Sequence, residues 1–285
     1  MTAAQLSLIL PTLNERQNVV ELIGQLLESL PDIGEIIVVD DNSTDGTREA
    51  IREHFAPLMD KRIRIHHRLS HPGLVPSLRE AVALATQPLV GWMDCDLSMP
   101  PASLKDMLEM LNKGFDLVVG SRFLPGGGQK NFVSAGKDSR LEIVLSNLLN
   151  AALRLGLGIA ASDFTSGFVI VRRTVLETFQ WKGQHGEYFI HLLFHAQSCG
   201  SAIAEISYRC GNRKYGKSKT FGSVRSTTLN CWRYFLAACE VMSARFGRDA
   251  CGKRKEDCSL GALAPQNEKK EEWKRPLNPP SAPVQ

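Results

Sequence analysis

The sequence lacks three features, each of which would have assigned it to a large class of proteins. None of its hydrophobic runs approaches the roughly 20 apolar residues that a membrane-spanning helix needs. It has no Gly-x-x-x-x-Gly-Lys-Ser/Thr loop and no Gly-x-Gly-x-x-Gly motif after its first strand-like run. These absences exclude a spanning helix, a P-loop ATPase and a Rossmann dehydrogenase.

The charge and the cysteines indicate an ordinary globular protein. The formal net charge is only +4 over 285 residues, so we expect no nucleic-acid partner. The seven cysteines are scattered without metal-ligand spacing, as in cytosolic proteins with reduced thiols. Residues 1–5 show neither the basic nor the apolar region of a secretory signal. We therefore expect a cytoplasmic location.

The first half of the chain alternates between short apolar runs and segments with helical periodicity. The pattern predicts strands at residues 6–10, 35–39, 62–66, 89–93 and 116–120, and helices at residues 18–30, 44–55, 74–85 and from Pro100-Pro101 onward. Such a βαβα order is typical of an α/β fold with a mainly parallel sheet flanked by helices.

The second half is less regular. We predict strands at 167–171 and 202–208, helices at 188–197 and 222–246, a mobile glycine-rich loop at 125–136 and an apolar stripe at 141–157. From residue 247 onward, charged residues, Pro, Gly and Ser dominate, and such a composition cannot bury enough apolar area to fold. We therefore expect one domain over residues 1–246 and a disordered tail over residues 247–285.

Acidic residues directly follow two of the predicted strands. Asp40 and Asp41 follow strand 35–39, and Asp94 and Asp96 follow strand 89–93. Because ligands bind outside the carboxyl ends of strands in an open α/β sheet, these carboxylates should converge on one cleft. Asp94 and Asp96 point to the same side of the chain and repel each other unless a cation lies between them. Oxygen ligands suit Mg²⁺ or Mn²⁺, although a solvated aspartate pair remains the alternative.

Asp41 is the candidate for contact with a nucleotide. A carboxylate at this place can accept hydrogen bonds from a base or a ribose hydroxyl. The alternative is a simple turn in which Asp45 caps the next helix. Both can hold, so we assign Asp45 to capping and Asp41 to the ligand.

Four basic residues are candidates for phosphate binding. They are Arg122, which follows the strand at 116–120, Arg140, and Arg213 and Lys219, which share a glycine-containing turn. A guanidinium grips phosphate through two parallel hydrogen bonds, and a nearby lysine adds a point charge. The alternative is an ordinary solvated basic loop.

These motifs together resemble those of glycosyltransferase family 2, which has the GT-A fold, and within it the dolichol-phosphate mannose synthase branch. The matching segments are Pro11-Thr12-Leu13-Asn14-Glu15, Val38-Val39-Asp40-Asp41-Asn42-Ser43-Thr44-Asp45-Gly46-Thr47, Met93-Asp94-Cys95-Asp96-Leu97, Gly120-Ser121-Arg122, Ser166-Gly167-Phe168 and Arg213-Lys214-Tyr215-Gly216-Lys217-Ser218-Lys219. Their joint order, over about residues 6–222, is more specific than any one motif.

The resemblance implies a role for each matching residue. It assigns Pro11, Glu15 and Asp41 to the nucleotide, Asp94 and Asp96 to the metal, and Arg122, Arg140, Arg213 and Lys219 to the acceptor phosphate and the donor diphosphate. Ser98, which stands where the family has Gln, is expected to ligate the metal through its oxygen or a water molecule. Asp96, Arg122 and Arg213 would take part directly in catalysis.

The chain departs from the family pattern in four places. These are Leu13, Ser98, His71-Pro72-Gly73 and His191. The departures bear on the choice of donor more than on the fold, because both metal carboxylates and the basic set are retained.

An enzyme of this branch would have a GT-A catalytic domain over residues 1–246. It would move a sugar, with inversion, from a nucleotide-sugar such as GDP-mannose to a polyprenyl (dolichyl) phosphate. The alternatives are a family enzyme with another donor, such as UDP-glucose, or with a glycan or protein hydroxyl as acceptor. A non-catalytic nucleotide-sugar-binding module and a membrane-bound scaffold acting through its tail also remain open.

A lipid acceptor would require peripheral contact with a membrane surface, here on the cytoplasmic face. The stripe at 141–157 and the helix that carries Trp232, Tyr234 and Phe235 are candidates for lying on that surface. The alternative is that both belong to the core.

Overall fold

The computed structural model describes residues 1–69, 72–129, 148, 150–159, 161–216 and 224–251. The strands are β1 (Leu6–Thr12), β2 (Glu35–Asp40), β3 (Ile63–His67), β4 (Leu89–Trp92), β5 (Leu117–Ser121), β6 (Gly128–Gln129), β7 (Val169–Arg172), β8 (Ile203–Ser207) and β9 (Arg209–Cys210). The helices are α1 (Arg16–Ser29), α2 (Thr47–His54), α3 (Leu74–Leu84), α4 (Ser103–Asn112), α5 (150–157), α6 (Arg173–Leu176), α7 (Tyr188–Ser198) and α8 (Val224–Cys251).

Seven strands form one sheet in the order β3-β2-β1-β4-β7-β5-β8. All neighbours are parallel except β7, which runs antiparallel to both β4 and β5. The register places Ile9 of β1 between Ile37 of β2 and Trp92 of β4. The predicted α/β architecture, a mainly parallel sheet flanked by helices, is therefore confirmed.

The sheet is buried on both faces, which explains why its strands are continuous apolar runs rather than alternating ones. Ile37 and Val39 of β2 pack in a cluster with α3, α5, α7 and α8. Ile36 and Val38 of the same strand pack in a second cluster with α1, α2 and α4. Side chains that alternate along each strand thus anchor a helical layer on each face.

Two helices begin later than the sequence predicted. α2 begins at Thr47 rather than at residue 44, because Gly46 adopts a left-handed conformation (φ 81°) at the N-cap position. α4 begins at Ser103 rather than at the two prolines. There the carbonyl oxygens of Pro100 and Pro101 accept the N–H groups of Ser103 and Leu104 in a turn.

The predicted loop at 125–136 is wrong at its described end. Gly128–Gln129 forms β6, which pairs in parallel with β9 in a separate two-stranded sheet. The alternation of apolar residues could not reveal a strand this short. Residues 130–136 lie outside the described part of the chain.

α8 runs to Cys251, past the helix end predicted at residue 246. Met1–Gly247 forms one compact unit. The disordered tail proposed for residues 247–285 stays a prediction, because residues 252–285 are outside the described ranges. Within those ranges, no helix combines the length and apolar character required to span a membrane.

Candidate active site

The carboxyl ends of three adjacent strands, β2, β1 and β4, meet at one edge of the sheet. Pro11 and Thr12 end β1, Asp40 ends β2, and Asp94 follows β4 by two positions. The N–H of Asp41 donates to the carbonyl of Thr12 (2.9 Å), which ties the ends of β1 and β2 together. This edge gathers the acidic motifs, as the sequence predicted.

The loops after β1 and β2 are fastened to each other. Asn14 donates its N–H to Ser43 Oγ (2.8 Å) and accepts the N–H of Thr44 on Oδ1 (2.8 Å). The Asp45 carboxylate accepts the N–H of Arg16 (3.1 Å), the first residue of α1, and the N–H of Thr47 (3.0 Å), the first residue of α2. Asp45 thus accepts hydrogen bonds from the first residue of each of two helices, and these bonds hold the loop that carries Glu15.

The two aspartates after β2 have different partners. Asp40 is fully buried, accepts the N–H of Ser43 (3.1 Å) and lies 3.4 Å from Nε of Arg48. Asp41 is partly exposed and accepts from Nη1 of Arg68 (2.6 Å) and from the N–H of Gly73 (2.7 Å). Asp41 is therefore the carboxylate of the pair that a ligand at this edge can reach.

Arg68, which the sequence analysis missed, holds Asp41 in place. Its side chain is almost fully buried and also donates to Ser77 Oγ (2.8 Å) and to both carboxylate oxygens of Glu80 (3.0 and 3.2 Å). Its position two residues after the strand predicted at 62–66 was a usable signal, although the sequence pattern did not indicate its partners on α3.

Asp94 and Asp96 lie close to each other and to Arg213. Asp94 touches solvent, yet the surrounding protein displaces enough water to raise its pKa, and the charge of Asp96 raises it further, to about 7. Arg213 and Arg122 oppose this increase. Asp96 accepts the N–H of Ser98 on Oδ1 (3.0 Å), and its Oδ2 lies 3.5 Å from Nη2 of Arg213.

This pair fits a divalent cation whose remaining ligands come from a substrate. Mutual repulsion at Asp94 is what a bound cation would relieve. Over the described ranges, no group of three or more His, Cys, Asp or Glu side chains is arranged to hold a metal ion. Two carboxylates would therefore need diphosphate or water oxygens to complete the coordination of Mg²⁺ or Mn²⁺.

Ser98, predicted as a metal ligand, is buried and faces the segment after β9. Its carbonyl oxygen accepts the N–H of Gly211 (2.7 Å). Burial raises the pKa of the neighbouring Cys210 thiol, and a hydrogen bond with the Ser98 hydroxyl partly opposes that shift. The metal role of Ser98 remains a prediction.

Arg122 follows β5 and is held by an acid that the sequence analysis missed. Nε and Nη2 donate to the two oxygens of Asp163 (2.8 Å each), and Nη2 also donates to Thr165 Oγ1 (2.8 Å). Asp163 is fully buried and accepts the backbone N–H of Arg122 as well (3.1 Å). Burial lowers the pKa of Arg122, but the bonds to Asp163 outweigh it and the net pKa is raised.

Arg213 lies in a segment that crosses the site, residues 209–216, here called the strap. Its Nη1 donates to both carboxylate oxygens of Glu15 (2.7 and 2.9 Å). The structure therefore brings Arg213, Glu15, Asp94 and Asp96 together, with Arg122 close enough to act on the pKa of Asp94. Arg140 and Lys219 lie outside the described residues.

A tyrosine also faces this cluster. The hydroxyl of Tyr188, the first residue of α7, accepts a hydrogen bond from Trp92 Nε1 (2.6 Å). Burial raises the pKa of Tyr188, the bond from Trp92 lowers it, and the charge of Asp94 raises it further. Its position at the start of a predicted helix gave no signal that it would approach Asp94.

The mainly parallel sheet thus carries two carboxylates, Asp94 and Asp96, and two arginines, Arg122 and Arg213, near its strand ends. The family model for glycosyl transferase family 2 matches residues 7–179. The chain is 31% identical over 226 residues to the polyprenol monophosphomannose synthase of Mycolicibacterium smegmatis, which covers 75% of this chain and 80% of that protein.

Two further comparisons extend this result. The chain is 30% identical over 248 residues to the undecaprenyl-phosphate mannosyltransferase of Micrococcus luteus, which covers 84% of this chain and 98% of that protein. Glucosyl-3-phosphoglycerate synthase from Mycobacterium tuberculosis, solved with Mn²⁺, UDP and glucosyl-3-phosphoglycerate, is similar with a TM-score of 0.64 at 19% identity. That match covers 84% of this chain and 80% of that one. At this identity the likeness shows the fold alone.

The chain therefore belongs to glycosyltransferase family 2 and is a glycosyltransferase. The family inferred from the motifs and the GT-A fold that it implied are both confirmed.

Proposed function

We propose that this enzyme transfers a sugar, with inversion, from a nucleotide-sugar to a polyprenyl phosphate, and that the donor is GDP-mannose. The observation that carries the proposal is the contact between opposite charges at the end of β4. Asp94 and Asp96 suit a cation, and Arg122 and Arg213 beside them suit phosphates. Two relatives, a polyprenol monophosphomannose synthase and an undecaprenyl-phosphate mannosyltransferase, support the acceptor class and the sugar.

The metal would be held by Asp94 and Asp96, with Ser98 as a proposed further ligand. A bound Mg²⁺ or Mn²⁺ would supply Lewis-acid neutralisation of the leaving diphosphate. The Asp96 carboxylate is already oriented in the protein, because one of its oxygens accepts the N–H of Ser98.

The rest of the reaction depends on alignment. A phosphate acceptor is already ionised near neutral pH, so it can attack the anomeric carbon without a strong general base. Arg122, held rigid by Asp163, would orient that phosphate, and Arg140 and Lys219 are proposed to assist it. Attack opposite the leaving group inverts the anomeric centre.

The nucleotide would lie across the ends of β1 and β2. Pro11, Glu15 and Asp41 are proposed to contact it, with Asp41 oriented by Arg68 and by the N–H of Gly73. Glu15 is nearly buried and already partnered by Arg213, so its role includes placing that guanidinium.

The exposed apolar residues of α8 support contact with a lipid surface. Trp232 and Phe235 stack on each other and are 56% and 52% exposed, and Leu236 is 49% exposed. Ala237 and Val241 of the same helix are buried in the core. We propose that the exposed side of α8 rests on the cytoplasmic face of a membrane.

The described part of the apolar stripe predicted at 141–157 also contains both buried and exposed residues. Leu153 and Leu157 are buried in the core, and Leu148 and Leu155 are 62% and 86% exposed. Leu153 and Leu157 belong to the core, and we propose that the exposed Leu148 and Leu155 contact the membrane surface. Residues 141–147 and 149 lie outside the described ranges.

The test is a panel of nucleotide-sugars, including GDP-mannose and UDP-glucose, offered with polyprenyl phosphate in detergent and with Mg²⁺ or Mn²⁺. We expect transfer from GDP-mannose and none to a polyprenol that lacks phosphate. Transfer to a glycan or peptide hydroxyl, or donor binding without transfer, would contradict the proposal. Asp106→Ala, a substitution of an exposed aspartate on α4, is the matched control for substitutions of Asp96.

A further inference from the structure

Arg213 contacts two acids that are themselves expected to serve bound ligands. Nη1 donates to both oxygens of Glu15 (2.7 and 2.9 Å), and Nη2 lies 3.5 Å from Oδ2 of Asp96. One arginine thus lies against the carboxylates of Glu15 and Asp96 at the same time.

The backbone of the strap holds Arg213 in this position from two sides. On one side, the N–H of Gly211 donates to the carbonyl of Ser98 (2.7 Å), and the N–H of Lys214 donates to that of Asp96 (3.2 Å). These bonds place the strap directly on the turn that carries Asp96.

On the other side, the strap is joined to α1. The N–H of Tyr215 donates to Asn18 Oδ1 (3.2 Å), and Asn18 Nδ2 donates to the carbonyl of Tyr215 (3.1 Å). Lys214 Nζ pairs with Glu21 (2.6 and 2.8 Å). The strap is therefore built to hold a cation over the carboxylates of the site.

A guanidinium and a divalent cation cannot both remain beside Asp96 without repelling each other. A nucleoside diphosphate changes this balance, because it offers Arg213 a new anionic partner at the moment when a metal takes its place. We propose that Arg213 is the counter-cation of the site in the absence of ligands. Its charge would weaken the binding of a metal ion alone and strengthen the binding of a metal ion that arrives with a nucleoside diphosphate. The proposal rests on the proposed function in taking Asp96 as a metal ligand.

The test measures Mn²⁺ binding to the full-length protein by electron paramagnetic resonance of the free ion, without any turnover. Wild type and Arg213→Gln are titrated with Mn²⁺ alone and with Mn²⁺ plus GDP, with UDP in parallel. We expect Arg213→Gln to bind Mn²⁺ alone at least about fivefold more tightly than wild type. In the presence of the nucleoside diphosphate we expect it to bind at least about fivefold more weakly.

Two controls isolate the charge of Arg213. Arg213→Lys keeps the charge and should bind Mn²⁺ alone as weakly as wild type. Lys214→Met removes a charge of the same strap that pairs with Glu21 rather than with Asp96, so it should match wild type in both titrations. A purely structural arginine would instead weaken both titrations or change neither.

An Arg213→Gln variant that binds Mn²⁺ alone no more tightly than wild type would overturn the proposal. A wild type that binds no Mn²⁺ under either condition would also overturn it. In that case the sugar-transfer assay with excess chelator decides whether the proposed function falls too, so the two failures are distinguishable.

Wild type supplies a second measurement that needs no variant. Trypsin requires the arginine side chain, so pairing of Arg213 with Glu15 and Asp96 protects the bond after it. We expect Mn²⁺ alone to speed cleavage after Arg213, and the added nucleoside diphosphate to slow it again. Cleavage that does not respond to Mn²⁺ would contradict the proposal even if Arg213→Gln failed to fold.

Discussion

Arg122 and Arg213 have similar predicted roles in the sequence, but the structure gives them acidic partners that differ in burial. Both were predicted to bind phosphate, and each donates two hydrogen bonds to one carboxylate. The partner of Arg122 is Asp163, which is fully buried, whereas Arg213 is partnered by Glu15, which is nearly buried, and by Asp96, which is partly exposed. From this difference in partners we predict that Arg122 is fixed in place and that Arg213 can exchange its partners.

The largest effect on activity is expected for Asp96, the partly exposed partner of Arg213. Asp96→Ala should reduce transfer by about a thousandfold or more, because a lost ligand carboxylate removes several kcal/mol of metal stabilisation. The fold should remain intact, since Asp96 is partly exposed. Steady-state kinetics with saturating Mn²⁺ or Mg²⁺ checks this prediction, and Asp106→Ala is the control. A variant with turnover like wild type would show that the metal assignment is wrong.

Substitution of Asp163, the buried partner of Arg122, should lower the free energy of unfolding. Asp163→Ala removes the buried carboxylate that pairs with Arg122, and such changes cost about 3–5 kcal/mol. Urea unfolding monitored by circular dichroism measures the loss. Glu15→Ala, which removes a partner of Arg213, is the matched variant and should cost clearly less. Equal losses would remove the distinction between the two arginines.

The same conservative substitution at each arginine sharpens the contrast. Arg213→Lys should lose about tenfold to a hundredfold in kcat/KM, because a bidentate grip loses one charged hydrogen bond, with little change in Tm. Arg122→Lys should lower Tm, because its fork to Asp163 is broken. Kinetics and melting curves on both variants decide the matter. A lowered Tm with unchanged kinetics for Arg213→Lys would mean that Arg213 is structural.

The smallest expected effect is the change with pH in the stability of the metal-free protein. The folded pKa of Asp94, about 7, lies above its ordinary value of 3.8, so the folded state keeps a proton that the unfolded chain releases. This contribution to stability is present at low pH and is lost as the pH rises through about 7. Because Asp94 touches solvent, we expect on the order of 1 kcal/mol, or about 2–4 °C in Tm.

The measurement is Tm between about pH 5 and 8 for wild type and Asp94→Asn, both without metal. Wild type should lose stability relative to the variant as the pH rises. A constant difference between the two proteins would contradict the raised pKa. Added Mn²⁺ should reduce the pH dependence of wild type.

The sequence was sufficient for the strands and for the acids that follow them. Apolar runs ending in Asp40-Asp41 and Asp94-Cys95-Asp96 locate the site, because the chain order itself places these residues at one edge of the sheet. Helix starts were less predictable, since Gly46 and the proline turn at Pro100 act locally against the periodicity.

The partners of the arginines could not be predicted from the sequence. Asp163 lies 41 residues beyond Arg122, and Glu15 lies 198 residues before Arg213. Arg68 likewise reaches back 27 residues to Asp41. No periodicity links such pairs, because they depend on how strands separated in the chain come together in the sheet.

The reversed direction of β7 has a consequence for how the two edges of the sheet tolerate change in chain length. Val169 pairs with Trp92, and Arg172 pairs with Leu89, so β7 starts at the edge where β4 ends. The residues that precede it, Asp163 among them, therefore lie at the same edge of the sheet as Asp94 and Asp96. An insertion just before β7 would displace the anchor of Arg122, whereas an insertion just after β7 would fall on the opposite edge and spare it.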